Sequence, residues 1–125
     1  MFIRDSSQVR AVEWGNGTSR RLLVETDGMG FTVAETTVRA GTKSRLQYRR
    51  HLEACYCIGG RGEVTSADGA VTYRLEPGVL YVLDQHDAHF LVADAHEDLH
   101  LISVFNPPLR GDEAHRLDEF GFSQY

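Results

Sequence analysis

The chain has 125 residues, 42% hydrophobic and 25% charged, enough for one compact domain with its own core and too few for a separate cofactor module. Thirteen Lys and Arg stand against 18 Asp and Glu, a net charge of -5, which gives no footprint for nucleic acid or an anionic membrane. Arg4, Asp5 and Arg10 sit where a leader needs an apolar run, and no stretch nears the roughly 18 apolar residues of a membrane span. A soluble cytoplasmic protein is expected, with Cys55 and Cys57 reduced because an i,i+2 pair on a strand is poorly placed to bridge.

Turn signals divide the chain at residues 15–17, 27–30, 40–42, 59–62, 68–69 and 76–78. Between them lie short β-branched and aromatic segments: 31–33 with 36–38, 54–58, 63–65, 71–75, 79–83, 89–92 and 99–105. Residues 47–52 read as the lead-in to a strand, Asp68-Gly69 as a hairpin turn, and 113–119 as at most a helical turn. So many short strands imply an all-β antiparallel sandwich or small barrel. Strand parity places Glu53, Cys55 and Cys57 on one face, with Ala54, Tyr56 and Ile58 on the other, and puts Tyr81 with Leu83. An inward Glu53 needs a cation or a proton donor beside it, whereas an outward one needs only water.

From Gly41 to Gly59 the glycine spacing and Glu53 follow a first cupin motif. Gln47 and Arg49 stand where its His-x-His pair is usual, so a three-histidine site is not available. A second motif runs from Glu76-Pro77-Gly78 to His89, which takes the slot of that motif's histidine. Three further blocks follow in order: Tyr48-x-x-His51-Leu52-Glu53-Ala54-x-Tyr56-Cys57-Ile58, Leu83-Asp84-Gln85-His86-Asp87-x-His89, and Val104-Phe105-Asn106-Pro107-Pro108-Leu109-x-Gly111-x-Glu113-x-His115. With Ser19-Arg20-Arg21-Leu22-Leu23 and Asp27-Gly28-Met29-Gly30-Phe31, they make the chain resemble the ectoine synthase family over residues 18–115.

That resemblance implies a single-domain cupin, a jelly-roll β-barrel over residues 1–125, working as a homodimer on a small-molecule substrate. It implies a hydro-lyase that closes N-γ-acetyl-2,4-diaminobutanoate into the cyclic amidine ectoine. The family's metal ligands fall on Glu53, Tyr81 and His89, and its substrate contacts on Arg21, Thr36, Tyr48, His51, Phe105, Glu113 and His115. A carboxylate, a phenolate and an imidazole suit Fe(II), with zinc or manganese able to substitute. Glu113 is the first choice for proton transfer and Tyr48 the second, while Arg21 is a candidate clamp for a carboxylate.

Outside this set, His86 is read as part of a hydrogen-bonded turn with Asp84 and Asp87, and His96 and His100 as structural. Cys55 and Cys57 are read as small buried residues rather than a C-x-C metal pair. The chain departs from the family at Gly17, where a tryptophan is usual, near Ala34, often polar, and at Ser103, usually cysteine. Losing that tryptophan suggests a wider pocket and an alternative substrate, another acylated amine or amino acid; a third reading is a non-catalytic small-molecule binder. Trp14 takes the missing place only if the turn at 15–17 is rearranged. Residues 116–125, with Leu117, Phe120, Phe122 and Tyr125, are expected to dock on the barrel or a second subunit, extending a lid that carries Glu113 and His115.

Overall fold

The computed structural model describes residues 1–113 and, beyond them, the backbone of two short strands at 116–117 and 123–124. Two sheets form the molecule. The first runs in the order β1 (Ala11–Glu13), β2 (Gly17–Leu23), β3 (Thr32–Val38), β10 (Leu99–Asn106), β5 (Leu52–Gly59) and β8 (Leu80–Leu83), with every pair antiparallel. The second runs β11 (Arg116–Leu117), β12 (Ser123–Gln124), β4 (Lys43–Leu46), β9 (His89–Ala93), β6 (Gly62–Ser66) and β7 (Thr72–Leu75), antiparallel except where β12 meets β4. From β3 to β10 the chain changes sheet at every connection except the β6–β7 hairpin, the winding of a jelly roll.

Alternation drives the closure. Along β5 the residues Glu53, Cys55 and Cys57 turn inward while Leu52, Tyr56 and Ile58 face out; on β8 Tyr81 and Leu83 turn inward. Leu75, Leu91, Leu99 and Leu101 meet between the sheets at 2% exposure or less, each contributing about 2 kcal/mol through removal from water. Ser66 and Asp68 close the β6–β7 turn, Ser66 Oγ donating to Asp68 Oδ1 at 2.6 Å, which bears out the hairpin at Asp68-Gly69.

Among the strands up to β10, three carry no sequence signal, and each absence has a reason. The inward positions of β2 are Gly17, Ser19 and Arg21, so apolar alternation is missing there. The three-residue β1 and four-residue β4 are too short to show a period. Residues 47–51 form the loop that leads into β5 at Leu52, as expected, and His86 satisfies its backbone: Nδ1 lies 2.9 and 3.0 Å from the Tyr48 and His51 carbonyls, and Gln47 Nε2 donates back to the His86 carbonyl at 3.2 Å. His86 therefore ties this loop down rather than bonding Asp84, while Asp87 receives the Gln85 amide. At 116–117 a strand paired with 123–124 stands where a helical turn is expected.

Candidate active site

The pairing of the first sheet aligns its inward residues in rows. Arg21, Ala34, Ser103, Cys55 and Tyr81 are successive cross-strand partners over β2, β3, β10, β5 and β8. The next row is Thr32, Phe105, Glu53 and Leu83. Where these rows meet the second sheet, Glu53, Tyr81, Cys55, Ser103, Thr36 and Phe105, with Tyr48 from the 47–51 loop and Trp14, line a small, partly open cavity of about 20 Å³. That is room for an ion or one water.

Glu53 and His89 are the chemically demanding groups. Burial raises the Glu53 carboxyl to about 7, against partial relief from two neutral donors, Cys55 and Ser103. Burial likewise raises the Tyr81 phenol and the Cys55 thiol, and lowers His89. The Cys55 thiol lies within hydrogen-bond reach of both Glu53 and Tyr81; its sulfur is 3.6 Å from Ser103 Oγ, which in turn is 2.9 Å from Thr36 Oγ1. His89 Nδ1 is 2.9 Å from the Asp87 carbonyl and donates to it, so Nε2 carries the lone pair. That atom is buried without a hydrogen-bond partner, and the His89 ring stands 6.5 Å from those of Tyr48 and Tyr81.

A buried carboxylate held only by neutral donors and a bare imidazole lone pair suit a cation, so the residues present fit a metal. Among the described residues no three His, Cys, Asp or Glu side chains cluster at metal-binding distance. The expected trio is complete only when the Tyr81 phenol is counted.

The expected substrate contacts divide into two groups. Thr36, Tyr48 and Phe105 line the cavity, and Tyr48 meets Phe105 edge to face at 5.4 Å. His51 packs edge to face on Phe105 at 6.0 Å and donates from Nδ1 to the Pro107 carbonyl at 2.8 Å. Arg21 is buried and binds its own chain: Nε donates to Ser19 Oγ at 3.0 Å, and the terminal nitrogens donate to the carbonyls of Gly111 at 3.0 Å and Glu113 at 2.8 Å. The Glu113 carboxylate accepts from the amides of Arg110 at 2.7 Å and Gly111 at 2.8 Å. Partial burial pushes its carboxyl up, but these amides and the Arg21 charge outweigh it and hold the group below its ordinary range. In this arrangement Glu113 closes a turn. His115 and the side chains of the 116–125 segment lie outside the described residues.

Trp14 is the wall that sequence reasoning left conditional. Its amide donates to the Gly17 carbonyl at 3.0 Å across a turn in which Gly15 has φ +119°. A Cβ at Gly17 would stand 1.8 Å from the Thr37 carbonyl oxygen and 2.9 Å from the Trp14 ring. The 15–17 turn thus brings the indole into the cavity, and the wider pocket expected from Gly17 is filled. The signal for Trp14 was present: a lone tryptophan beside two glycines. Cys55, by contrast, had only its parity.

Two facing sheets wound as a jelly roll define a cupin. The fold superposes on a Cupin 2 conserved barrel domain protein from Salinispora arenicola with a TM-score of 0.66 at 22% identity, covering 84% of this chain and 87% of that one. A profile described as ectoine synthase matches residues 1–122. The L-ectoine synthase of Wolinella succinogenes is 49% identical over 107 residues, 86% of this chain and 79% of that protein. The crystal structure of ectoine synthase from P. lautus aligns with a TM-score of 0.82 and 38% identity over 89% of this chain and 81% of that one. The chain belongs to the ectoine synthase family.

Proposed function

We propose that the chain is a metal-assisted hydro-lyase that closes N-γ-acetyl-2,4-diaminobutanoate into ectoine. The metal part rests on one observation: a buried Glu53 carboxylate and the bare Nε2 of His89 both neighbour Tyr81, a charge and a lone pair that one divalent cation would satisfy. Glu53, Tyr81 and His89 would hold it, and two oxygen donors with one imidazole favour Fe(II), zinc or manganese being substitutes. When bound, the ion supplies Lewis acidity toward the acetyl carbonyl.

The chain's own residues do the rest. Trp14, Tyr48 and Phe105 keep water from the cavity, which favours closure because the reverse reaction is hydrolysis. Holding the α-amine against the carbonyl carbon makes the attack intramolecular and near in geometry. A C–N bond forms, and the carbonyl oxygen leaves as water with two protons that nitrogen carried. Tyr48 Oη, on the cavity wall, relays the proton between amine and leaving oxygen. Glu113 takes that role only once its carboxylate leaves the amides of Arg110 and Gly111. Arg21 acts through the 111–113 segment that it holds, and Thr36, His51, Phe105 and His115 complete the substrate shell.

The reading includes a homodimer in the cytoplasm. Tyr56, Ile58, Leu80 and Val82 expose an apolar outer face ending at the edge strand β8, beside a groove of about 590 Å³, and a second copy would cover both. The two thiols are free and buried, as suits a reducing compartment. No helix among the described residues is long and apolar enough to cross a membrane.

The test is to incubate the purified chain, loaded with Fe(II), with N-γ-acetyl-2,4-diaminobutanoate and follow ectoine by NMR. Product that disappears after chelation and returns with metal is expected. No product over hours from a metal-replete sample refutes the reading, and turnover unchanged by chelation refutes its metal part.

A further inference from the structure

The aromatic walls of the cavity differ in how they are held. Tyr81 and Phe105 stand on paired strands of one sheet, and the Tyr48 loop is tied down by His86. Trp14 stands instead on the turn between the three-residue edge strand β1 and β2, with Gly15 in the left-handed region at φ +119°; this turn is clamped by Arg39, whose guanidinium pairs with Glu13 and whose amide donates to the Asn16 carbonyl at 2.8 Å, and by Asn16 Nδ2, which donates to Ser44 Oγ at 2.9 Å. It is nevertheless buried, at 7% exposure, and lines the same cavity as Glu53 and Tyr81. Gly17 permits this, since any Cβ there would strike the Thr37 backbone and the indole. With Trp14 in place the cavity has room for an ion or one water, so the indole limits the space left for an acyl group.

We propose that Trp14 determines the acyl specificity of the site, its indole forming the wall against which the acyl chain of the substrate packs. This rests on the reading of the site given above. Trp14 bounds the same small cavity as Glu53 and Tyr81, so bulk at position 14 sets how long an acyl chain the site admits. In an apolar pocket each added methylene changes discrimination by about tenfold or more.

The test has two arms. In the first, kcat/KM for the acetyl substrate is compared with that for its butyryl homologue in the parent, Trp14→Phe and Trp14→Ala. The acetyl-to-butyryl ratio should fall at least about tenfold in Trp14→Ala, and by less in Trp14→Phe. An unchanged ratio in folded variants overturns the proposal. The second arm uses the unaltered protein, in which Trp14 is the sole tryptophan, so that indole fluorescence reports on this wall alone. Emission should be blue-shifted and should be quenched saturably by Co(II). A red-shifted emission, or none of it quenched while dialysis shows cobalt bound, overturns the placement. Failure of the parent to turn over the acetyl substrate refutes the proposed reaction and with it the specificity. Co(II) quenching would still show which wall Trp14 forms.

Discussion

Replacing Glu53 with glutamine removes a charge and keeps its size, and the consequence for the metal-free protein follows from linkage. The unfolded carboxyl ionises near 4.5, whereas burial raises the folded one to about 7. Below pH 4.5 both states are neutral and the full stability is present. Between 4.5 and 7 the folded state keeps a proton that the unfolded state releases, so stability falls as pH rises. At about 1.4 kcal/mol per pH unit, the loss is complete above 7 and amounts to about 3 kcal/mol, or roughly 10 °C for a domain of this size. His89 works in the opposite sense: burial lowers it, so stability is lost as pH falls below its ordinary 6.5. His89 is common to parent and variant and cancels in their difference, and Cys55 and Tyr81, both raised, stay neutral throughout. Urea unfolding of chelated parent and Glu53→Gln should therefore diverge from pH 4.5 to 8, with the variant the more stable by about 3 kcal/mol at the top. A difference that stays constant across this range would refute the buried, cation-seeking carboxylate.

Glu53→Ala should unfold cooperatively while bound iron and turnover fall together; equal iron occupancy by elemental analysis removes Glu53 from the ligand set. Gly17→Ala should cost about 1–3 kcal/mol, read as a lowered Tm, because the Thr37 backbone must shift. Arg21→Lys leaves the Gly111 and Glu113 carbonyls under-satisfied; amide exchange at 110–113 should accelerate and KM rise, with metal binding unchanged. Ending the chain after His115 should raise KM and slow turnover while sparing metal binding, since Glu53, Tyr81 and His89 stand on β5, β8 and β9; unchanged kinetics would count against a lid.

The apolar half of the fold was legible because it alternates. The parity of Glu53, Cys55 and Cys57, and of Tyr81 with Leu83, is the parity observed. The β2 strand was not legible, because its inward face is glycine, serine and arginine, residues chosen by a cavity and a strap rather than by a core. Spacing and resemblance together picked out Glu53, Tyr81 and His89, but no sequence pattern tells that Arg21 holds carbonyls 90 and 92 residues away, or that backbone amides occupy Glu113. Those are long-range partnerships that only the closed fold creates.

Gly17 and Trp14 also set a rule for changing this protein. A side chain at 17 and the indole of residue 14 claim the same space, so a tryptophan at 17 cannot be introduced in one step: it would collide with the Thr37 carbonyl and with the ring already there. Any path between the two arrangements passes through a shift of the backbone at 15–17 or at Thr37, because removing Trp14 alone leaves the clash with the Thr37 carbonyl. The two tryptophans are mutually exclusive solutions, and relatives with an aromatic residue at one position should lack it at the other.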